Sequence, residues 1–154
     1  MPNTYSQLYI QIVFAVKGRL SLIHEKNRDE LEKYITGIIS NLNQKLYAIY
    51  CMPDHVHILV SIKPDVRISD LVRDIKANSS RFINERKWIA GKFQWQEGYG
   101  VFSYNHVQLK NVVNYILNQP THHHVKSFRE EYIELLEEFN IAYKPEYLFE
   151  FSDH

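Results

Sequence analysis

A run of alternating residues near the middle of the chain limits the fold more than any other segment. Residues 52–60 read Met-Pro-Asp-His-Val-His-Ile-Leu-Val. Pro53 and Asp54 are turn formers, and the β-branched residues after them recur with period two, which is typical of a strand. Successive side chains on a strand point to opposite faces, so His55 and His57 share one face, and positions 56, 58 and 60 lie on the other. The segment predicts a turn followed by a strand that presents two imidazoles on one face.

The segments around this histidine strand alternate between strand-like and helix-like patterns. Further strands are predicted at residues 8–16, 46–52 and 101–104, and helices at 25–44, 69–88, 106–124 and 126–139. The tight turn at Pro53 should join the second and third strands as an antiparallel hairpin, and Pro120 should kink or end the third helix near Gln119. The order β-α-β-β-α-β-α predicts an α+β protein with the ferredoxin-like split β-α-β plan. This plan is an antiparallel sheet with helices packed on it, here with an extra C-terminal helix.

Length and composition favour a single folded domain. A chain of 154 residues, 45% of them hydrophobic, suits one well-packed core. No run approaches the ~18 apolar residues of a membrane-spanning helix, and the start of the sequence lacks the basic and apolar regions of a signal peptide. A single cysteine, Cys51, excludes an internal disulfide and fits a reducing compartment. We expect a soluble cytoplasmic protein without a membrane partner.

The net charge of zero is a cancellation between two parts of the chain. Residues 1–124 carry a balance of +5 and residues 125–154 a balance of −5. This asymmetry is compatible with a phosphate-backbone partner for the basic body, although an ordinary solvated surface explains it equally well. The candidate DNA contacts are cations after the first strand and along the second helix: Lys17, Arg19, Arg73, Lys76, Arg81 and Lys87.

Aromatic residues outside the regular elements need a surface to pack on. Phe93, Trp95 and Tyr99 lie on a glycine-containing loop and could stack on unpaired bases, although covering the core is the commoner use. Residues 143–151 of the tail are rich in tyrosine and phenylalanine. We expect the acidic C-terminal segment, residues 125–154, to dock on the rest of its own chain or on a second copy.

A second group of chemically active side chains lies on the third predicted helix. Tyr115 and Gln119 are four residues apart and share a helix face, with Asn111 and His122 or His123 nearby. The two imidazoles of the histidine strand and the Gln119 oxygen can hold Mg²⁺ or Mn²⁺ and leave sites for phosphate and water. Tyr115 would then be the nucleophile, because a nearby divalent cation favours ionisation of a phenol whose ordinary pKa is about 10. Each residue also has a structural reading: a half-exposed strand histidine, a tyrosine at the edge of the core, or a surface amide.

These motifs resemble the single-tyrosine HUH transposases of the insertion-sequence-200/605 type, which belong to small bacterial elements that move as single-stranded DNA. The matching segments are residues 53–60, 76–81, 95–99 and 115–119, followed by His122 and His123. The resemblance covers roughly residues 7–124, so the acidic C-terminal segment lies beyond it.

The resemblance implies a homodimer that binds hairpins in single-stranded DNA at the ends of an element. It implies metal-dependent cleavage to a 5′-phosphotyrosine and a free 3′-hydroxyl, then rejoining to another end without a nucleotide cofactor. Carried over by position, Tyr115 is the nucleophile, and His55, His57 and Gln119 are the ligands of Mg²⁺ or Mn²⁺. Residues 1–124 are then the catalytic domain, and the tyrosine helix serves the histidine pair of its own chain or that of the partner.

Other functions are compatible with some of the same residues. Histidine-triad nucleotide hydrolases also place alternating histidines on a strand, but they need a third histidine where this chain has Leu59. Replication initiators and relaxases share the histidine pair and the tyrosine, although relaxases usually have longer chains. A domesticated hairpin-binding protein that has lost transposition would keep the same fold.

Overall fold

The helices and strands follow the predicted order. The computed structural model describes residues 3–122 and 126–148. Its elements are β1 (Tyr9–Ala15), α1 (Glu25–Asn41), β2 (Lys45–Cys51), β3 (His55–Ser61), α2 (Ile68–Arg86), β4 (Gly100–Tyr104), α3 (Leu109–Leu117), α4 (Gln119–His122) and α5 (Phe128–Glu138). Short 3-10 turns lie at Lys17–Arg19, His106–Gln108 and Pro145–Tyr147.

The four strands form one antiparallel sheet in the order β2-β3-β1-β4. The expected β2–β3 hairpin is present, and its turn is closed by a hydrogen bond of 2.8 Å from the Met52 amide to the His55 carbonyl. The central pair of strands aligns Ala15 with His55 and Val13 with His57. The ferredoxin-like α+β plan predicted from the sequence is therefore confirmed.

One face of the sheet carries the apolar residues predicted from the period-two pattern. Val56, Ile58 and Val60 are fully buried in the main hydrophobic core. The same core contains apolar residues of α1 and α2, such as Leu31 and Ile75. We call this the apolar face of the sheet.

The opposite face, which we call the histidine face, is covered by α3 and α5. Leu59 packs with Leu109, Val112 and Ile116 of α3, and the Phe128 ring of α5 stacks on His55 with ring centroids 3.8 Å apart. Both faces of β3 are thus buried. The reading of the two histidines as half-exposed residues of a strand does not hold.

The third predicted helix is broken in two, as Pro120 requires. α3 ends at Leu117, and the short helix α4 begins at Gln119, with Pro120 in its first turn. Proline, which has no backbone amide hydrogen, is tolerated at that position because the first amides of a helix have no intrahelical partner. The expected end of the helix near Gln119 is confirmed, and it turns the chain just after Tyr115.

Helix α5 packs closely on the rest of the chain. Its N-terminus is capped by Ser127, and Tyr132 and Leu135 belong to the main hydrophobic core. At Gly100 of β4 a side-chain carbon would lie only 2.6 Å from the Tyr132 hydroxyl, so the absence of one lets α5 approach the sheet. The division of the chain near residue 124 stays a prediction.

The described part of the tail reaches Leu148, which is half-buried against the core, whereas Tyr147 is 80% exposed. The predicted docking of the aromatic residues at 149 and 151 lies outside the described residues. Along residues 3–122 and 126–148, every helix is too short or too polar to cross a membrane.

Candidate active site

The two strand histidines lie side by side at the buried end of β3. Their ring centroids are 5.2 Å apart, and their side chains are 1% and 0% exposed for His55 and His57. This pairing follows from the strand period alone, because residues two apart on a strand project from the same face.

His55 is oriented by Asp54, which is itself held in an ion pair with Arg19. Its Nδ1 lies 2.7 Å from Asp54 Oδ1, and the other carboxylate oxygen of Asp54 accepts a hydrogen bond of 2.8 Å from Arg19 Nε. Burial acts to raise the pKa of Asp54, but its bonds to His55 and Arg19 hold that pKa below the usual value. Burial lowers the pKa of His55 to about 4. The imidazole is therefore neutral at pH 7, the form that can bind a metal.

His57 is oriented by a different partner, Gln11 of β1. The Gln11 Oε1 lies 2.7 Å from His57 Nδ1, and the Gln11 Nε2 donates to the Tyr104 hydroxyl at 2.8 Å. An amide oxygen only accepts, so His57 Nδ1 carries the hydrogen and its Nε2 points away from the sheet. Such outer partners fix the orientation of metal-binding imidazoles in known sites.

A residue missed in the sequence, Glu131 of α5, occupies the centre of the site. Its side chain is 5% exposed. One oxygen, Oε1, lies 3.0 Å from His57 Nε2 and 3.9 Å from His55 Nε2. The sequence did contain a signal, since Glu131 shares a helix face with Phe128 and Leu135. An acid on a buried face requires a polar or cationic partner.

Tyr115 is brought to the same carboxylate. Its hydroxyl donates a hydrogen bond to Glu131 Oε2. Its ring lies edge-on to His57, with centroids 6.0 Å apart, and 4.6 Å from the His122 ring. Burial, followed by the charge of Glu131, raises the pKa of Tyr115 well above its ordinary value. The Tyr115 phenol is therefore protonated in the protein when neither metal nor DNA is bound.

The nearest rival tyrosine is placed differently. Tyr104 accepts the Gln11 hydrogen bond, and burial raises its pKa to about 12. Tyr104 thus supports the orientation of His57, whereas the Tyr115 hydroxyl lies at the carboxylate beside the imidazoles.

Gln119 reaches the cluster from the other side of the helix break. It is fully buried, and its Nε2 donates to Glu131 Oε2 at 3.0 Å. The structure thus places the predicted ligands His55, His57 and Gln119 around one carboxylate. His55, His57 and Glu131 each offer a ligand atom within 4.8 Å of the others. Two imidazoles and a carboxylate are a donor set that divalent metals accept.

One distance in this cluster matches the spacing of ligands around a metal ion. Octahedral bonds of about 2.1 Å place neighbouring ligand atoms about 3.0 Å apart and opposite ones about 4.2 Å apart. Glu131 Oε1 and His57 Nε2 have the separation of neighbouring ligands, 3.0 Å, whereas the 3.9 Å to His55 Nε2 lies between the two values.

Four of the six predicted DNA contacts border a large open groove of about 1250 Å³ between α2, the loop at residues 92–99 and the tail. They are Lys17, Arg73, Lys76 and Arg81. All three loop aromatics border this groove. Tyr99 is 37% exposed, whereas Phe93 and Trp95 are buried in the core. Two of the three loop aromatics therefore cover the core, which is the commoner use of such residues. We call this surface the basic groove.

Several of the predicted DNA contacts are engaged within the protein. Arg73, for example, pairs with Asp70 and Asp74 at 3.2 and 3.5 Å. The Arg19 side chain is 9% exposed and pairs with Asp54. The Lys76 ammonium donates to the carbonyls of Gln96 and Gly98 at 2.8 and 2.6 Å, and burial lowers its pKa to about 8. Lys87 caps α2 in a left-handed conformation.

Comparison with known proteins identifies the class. The family model described as "Transposase IS200 like" matches residues 4–119. The chain belongs to this family of single-tyrosine HUH transposases. Its similarity to the ISDra2 transposase TnpA of Deinococcus radiodurans is 26% identity over 120 residues, which are 73% of this chain and 84% of that protein.

Solved structures have the same fold. A crystal structure of a transposase from Deinococcus radiodurans R1 matches with a TM-score of 0.61 and 25% identity, over 77% of this chain and 95% of that one. A REP-associated tyrosine transposase, solved with a REP hairpin bound, matches with a TM-score of 0.59 and 17% identity, over 80% of this chain and 73% of that one.

Proposed function

We propose that this protein cuts and rejoins single-stranded DNA at the ends of a mobile element, with Tyr115 as the nucleophile. One observation carries the proposal: in a chain of the IS200-like family, the Tyr115 hydroxyl meets a buried carboxylate that also contacts the imidazole pair. The imidazoles come from β3, and the tyrosine comes from α3 of the same chain.

The proposed cation is Mg²⁺ or Mn²⁺, held by His55 and His57 with a third oxygen ligand, for which Gln119 and Glu131 are the candidates. When bound, such an ion polarises the scissile phosphate and offsets its charge. Asp54 and Gln11 keep the imidazoles in the tautomers that leave Nε2 directed to the site.

The covalent step follows from the position of the phenol. The Tyr115 oxygen attacks the scissile phosphorus, and the bond from phosphorus to the 3′ oxygen breaks. The tyrosine proton faces Glu131 Oε2, the base nearest to it, and the departing 3′ oxygen takes up a proton. The 5′-phosphotyrosine ester conserves the free energy of the phosphodiester, so a 3′-hydroxyl of another end can displace Tyr115 without a nucleotide cofactor.

The DNA partner is proposed from charge and from a relative. The basic groove offers Arg73 and Arg81 to a phosphate backbone, and a relative of the same fold was solved with a REP hairpin. We propose hairpins in single-stranded DNA as the ligand and the cytoplasm as the compartment. A homodimer would bring the two ends of an element together, and sedimentation at tens of micromolar protein tests for it.

The test of the nucleophile is capture of the covalent product. The protein is incubated with single-stranded DNA from the flanks of its gene and Mg²⁺ or Mn²⁺. Mass spectrometry of the digested adduct should place a nucleotide on the peptide that contains Tyr115. Tyr115→Phe should bind the hairpin normally and give neither adduct nor free 3′-hydroxyl. Tyr5→Phe, at a tyrosine that is 94% exposed, is the matched control that keeps the adduct.

Three other outcomes would contradict parts of the proposal. An adduct on Tyr104 would overturn the assignment of the nucleophile. Cleavage without any adduct would indicate attack by water and a nuclease rather than a transposase. Hairpin binding without cleavage in either metal would favour a domesticated binding protein.

A further inference from the structure

Glu131 divides its two oxygens between the two halves of the site. Oε1 faces the imidazoles, at 3.0 Å from His57 Nε2, whereas Oε2 accepts hydrogen bonds from the Tyr115 hydroxyl and, at 3.0 Å, from Gln119 Nε2. The donors that hold this carboxylate in place therefore lie on one side of it. The other oxygen is directed to the place where a cation would sit.

The contact between His57 and Glu131 sharpens this picture. Gln11 Oε1 can only accept, so His57 Nδ1 carries a hydrogen and Nε2 is the ring atom directed to Glu131. His57 Nε2 and Glu131 Oε1 lie 3.0 Å apart in a buried place, where a carboxylate needs a positive charge beside it. A divalent cation bound by both atoms would supply that charge.

The amide of Gln119 is engaged on the tyrosine side of the site. Its nitrogen donates to Glu131 Oε2, the same oxygen that accepts from Tyr115. Carboxylate oxygen is also a stronger ligand than an amide for hard cations such as Mg²⁺ and Mn²⁺.

We propose that Glu131 Oε1 is the third protein ligand of the cation, and that Gln119 is a positioning residue that holds Glu131. This inference rests on the proposed metal-dependent function and deepens it. It also gives the acidic C-terminal segment, which lies beyond the matched family segment, a direct part in the metal site.

Calorimetric titration with Mn²⁺ in the absence of DNA tests the assignment without a measurement of activity. The wild-type chain should bind one ion, and Glu131→Gln should bind it at least about tenfold more weakly. Gln119→Ala should lose no more than about threefold. Glu137→Gln changes the same charge at an exposed position of the same helix and should bind Mn²⁺ as the wild type does.

A second measurement does not depend on the folding of a buried variant. Difference infrared spectra of the wild-type chain and of Glu137→Gln should show the same shift of a carboxylate band when Mn²⁺ is added, and its absence would overturn the proposal. So would full Mn²⁺ affinity in a folded Glu131→Gln, or an equal loss in Gln119→Ala. Failure of the wild-type chain to bind Mn²⁺ at all would refute the metal in the proposed function itself, which separates the two failures.

Discussion

The two faces of the sheet are both buried but are built in different ways. The apolar face packs aliphatic side chains of β3 against α1 and α2. The histidine face buries Gln11, His55, His57, Gln119 and Glu131 beneath α3 and α5. Buried polar groups reduce stability unless they are hydrogen-bonded, so the second face has an arrangement that packing alone would not favour. The difference teaches that the histidine face carries the candidate site, whereas the apolar face is packed for stability.

The two faces can also be compared through one carboxylate each, which is half-buried in Glu32 and buried in Glu131. Glu32 of α1 accepts hydrogen bonds from the Cys51 amide, at 2.9 Å, and from the Arg28 guanidinium. Its partners are all donors, and they satisfy it within the protein. Glu131 also contacts donors, but its Oε1 faces the imidazole nitrogens. The contacts of the two carboxylates therefore distinguish a structural acid, Glu32, from a candidate metal ligand, Glu131.

The largest expected effect is on the histidine face. His57→Ala removes a proposed ligand, and cleavage should fall at least about a thousandfold, because charge stabilisation by a metal is worth several kcal/mol. Hairpin affinity should stay within several-fold, since it depends on many contacts elsewhere. Gel assays of nicking and binding measure both quantities. Full cleavage by His57→Ala at saturating Mg²⁺ would show that His57 is not a ligand of the metal.

The matching change on the apolar face should affect stability instead. Ile58 is the next residue of the same strand and is fully buried. Ile58→Ala should lower the free energy of unfolding by about 2–5 kcal/mol, as measured by urea denaturation. Its cleavage rate, measured well below the melting temperature, should remain near that of the wild-type chain. A folded variant without cleavage would show that the two faces are not separable.

A smaller effect should come from the contact between α5 and β4. Gly100→Ala places a methyl group 2.6 Å from the Tyr132 hydroxyl, and overpacking of this kind costs about 1–3 kcal/mol. Gly37→Ala is the control, because nothing lies within 4 Å of the added carbon, and alanine in a helix should stabilise by up to about 1 kcal/mol. Thermal denaturation of both variants compares the two positions. Equal melting temperatures would mean that α5 is not held tightly at Gly100.

The smallest effect concerns pH and Glu32. Burial raises the pKa of this carboxyl above 4.5, against the opposing effects of the Cys51 amide and Arg28. The folded chain therefore binds this proton more tightly than the unfolded chain, so the contribution of Glu32 to stability falls as pH rises from about the unfolded pKa through the folded one. The stability of the wild type minus that of Glu32→Gln should be lower at pH 7 than at pH 4 in urea denaturation. A larger difference at pH 7 would mean that the hydrogen bonds outweigh burial.

The fold could be predicted from the sequence because its signals are local. Period-two and helical patterns identify each element, and Pro120 marks the break after Tyr115. The pairing of His55 with His57 follows from strand geometry in the same way. None of these features needs knowledge of which distant segments meet.

The rest of the site depends on tertiary contacts, which single-residue patterns do not contain. Glu131 is 74 residues from His57 in the sequence and reaches it only because α5 docks on the histidine face. The sequence also does not show which groups a cation contacts. Arg19 and Lys76 are predicted to bind DNA, but in the structure they bond to Asp54 and to loop carbonyls. Residue type identifies a charge, whereas only the fold shows what that charge contacts.

Because Glu131 lies in α5, it is synthesised after the other residues of the site. A growing chain contains His55, His57 and Tyr115 well before the ribosome reaches α5. Until that helix docks, the imidazoles lack the carboxylate, and the Tyr115 hydroxyl lacks its acceptor. A chain cut short before residue 131 would thus contain the histidines and the tyrosine without the carboxylate that links them.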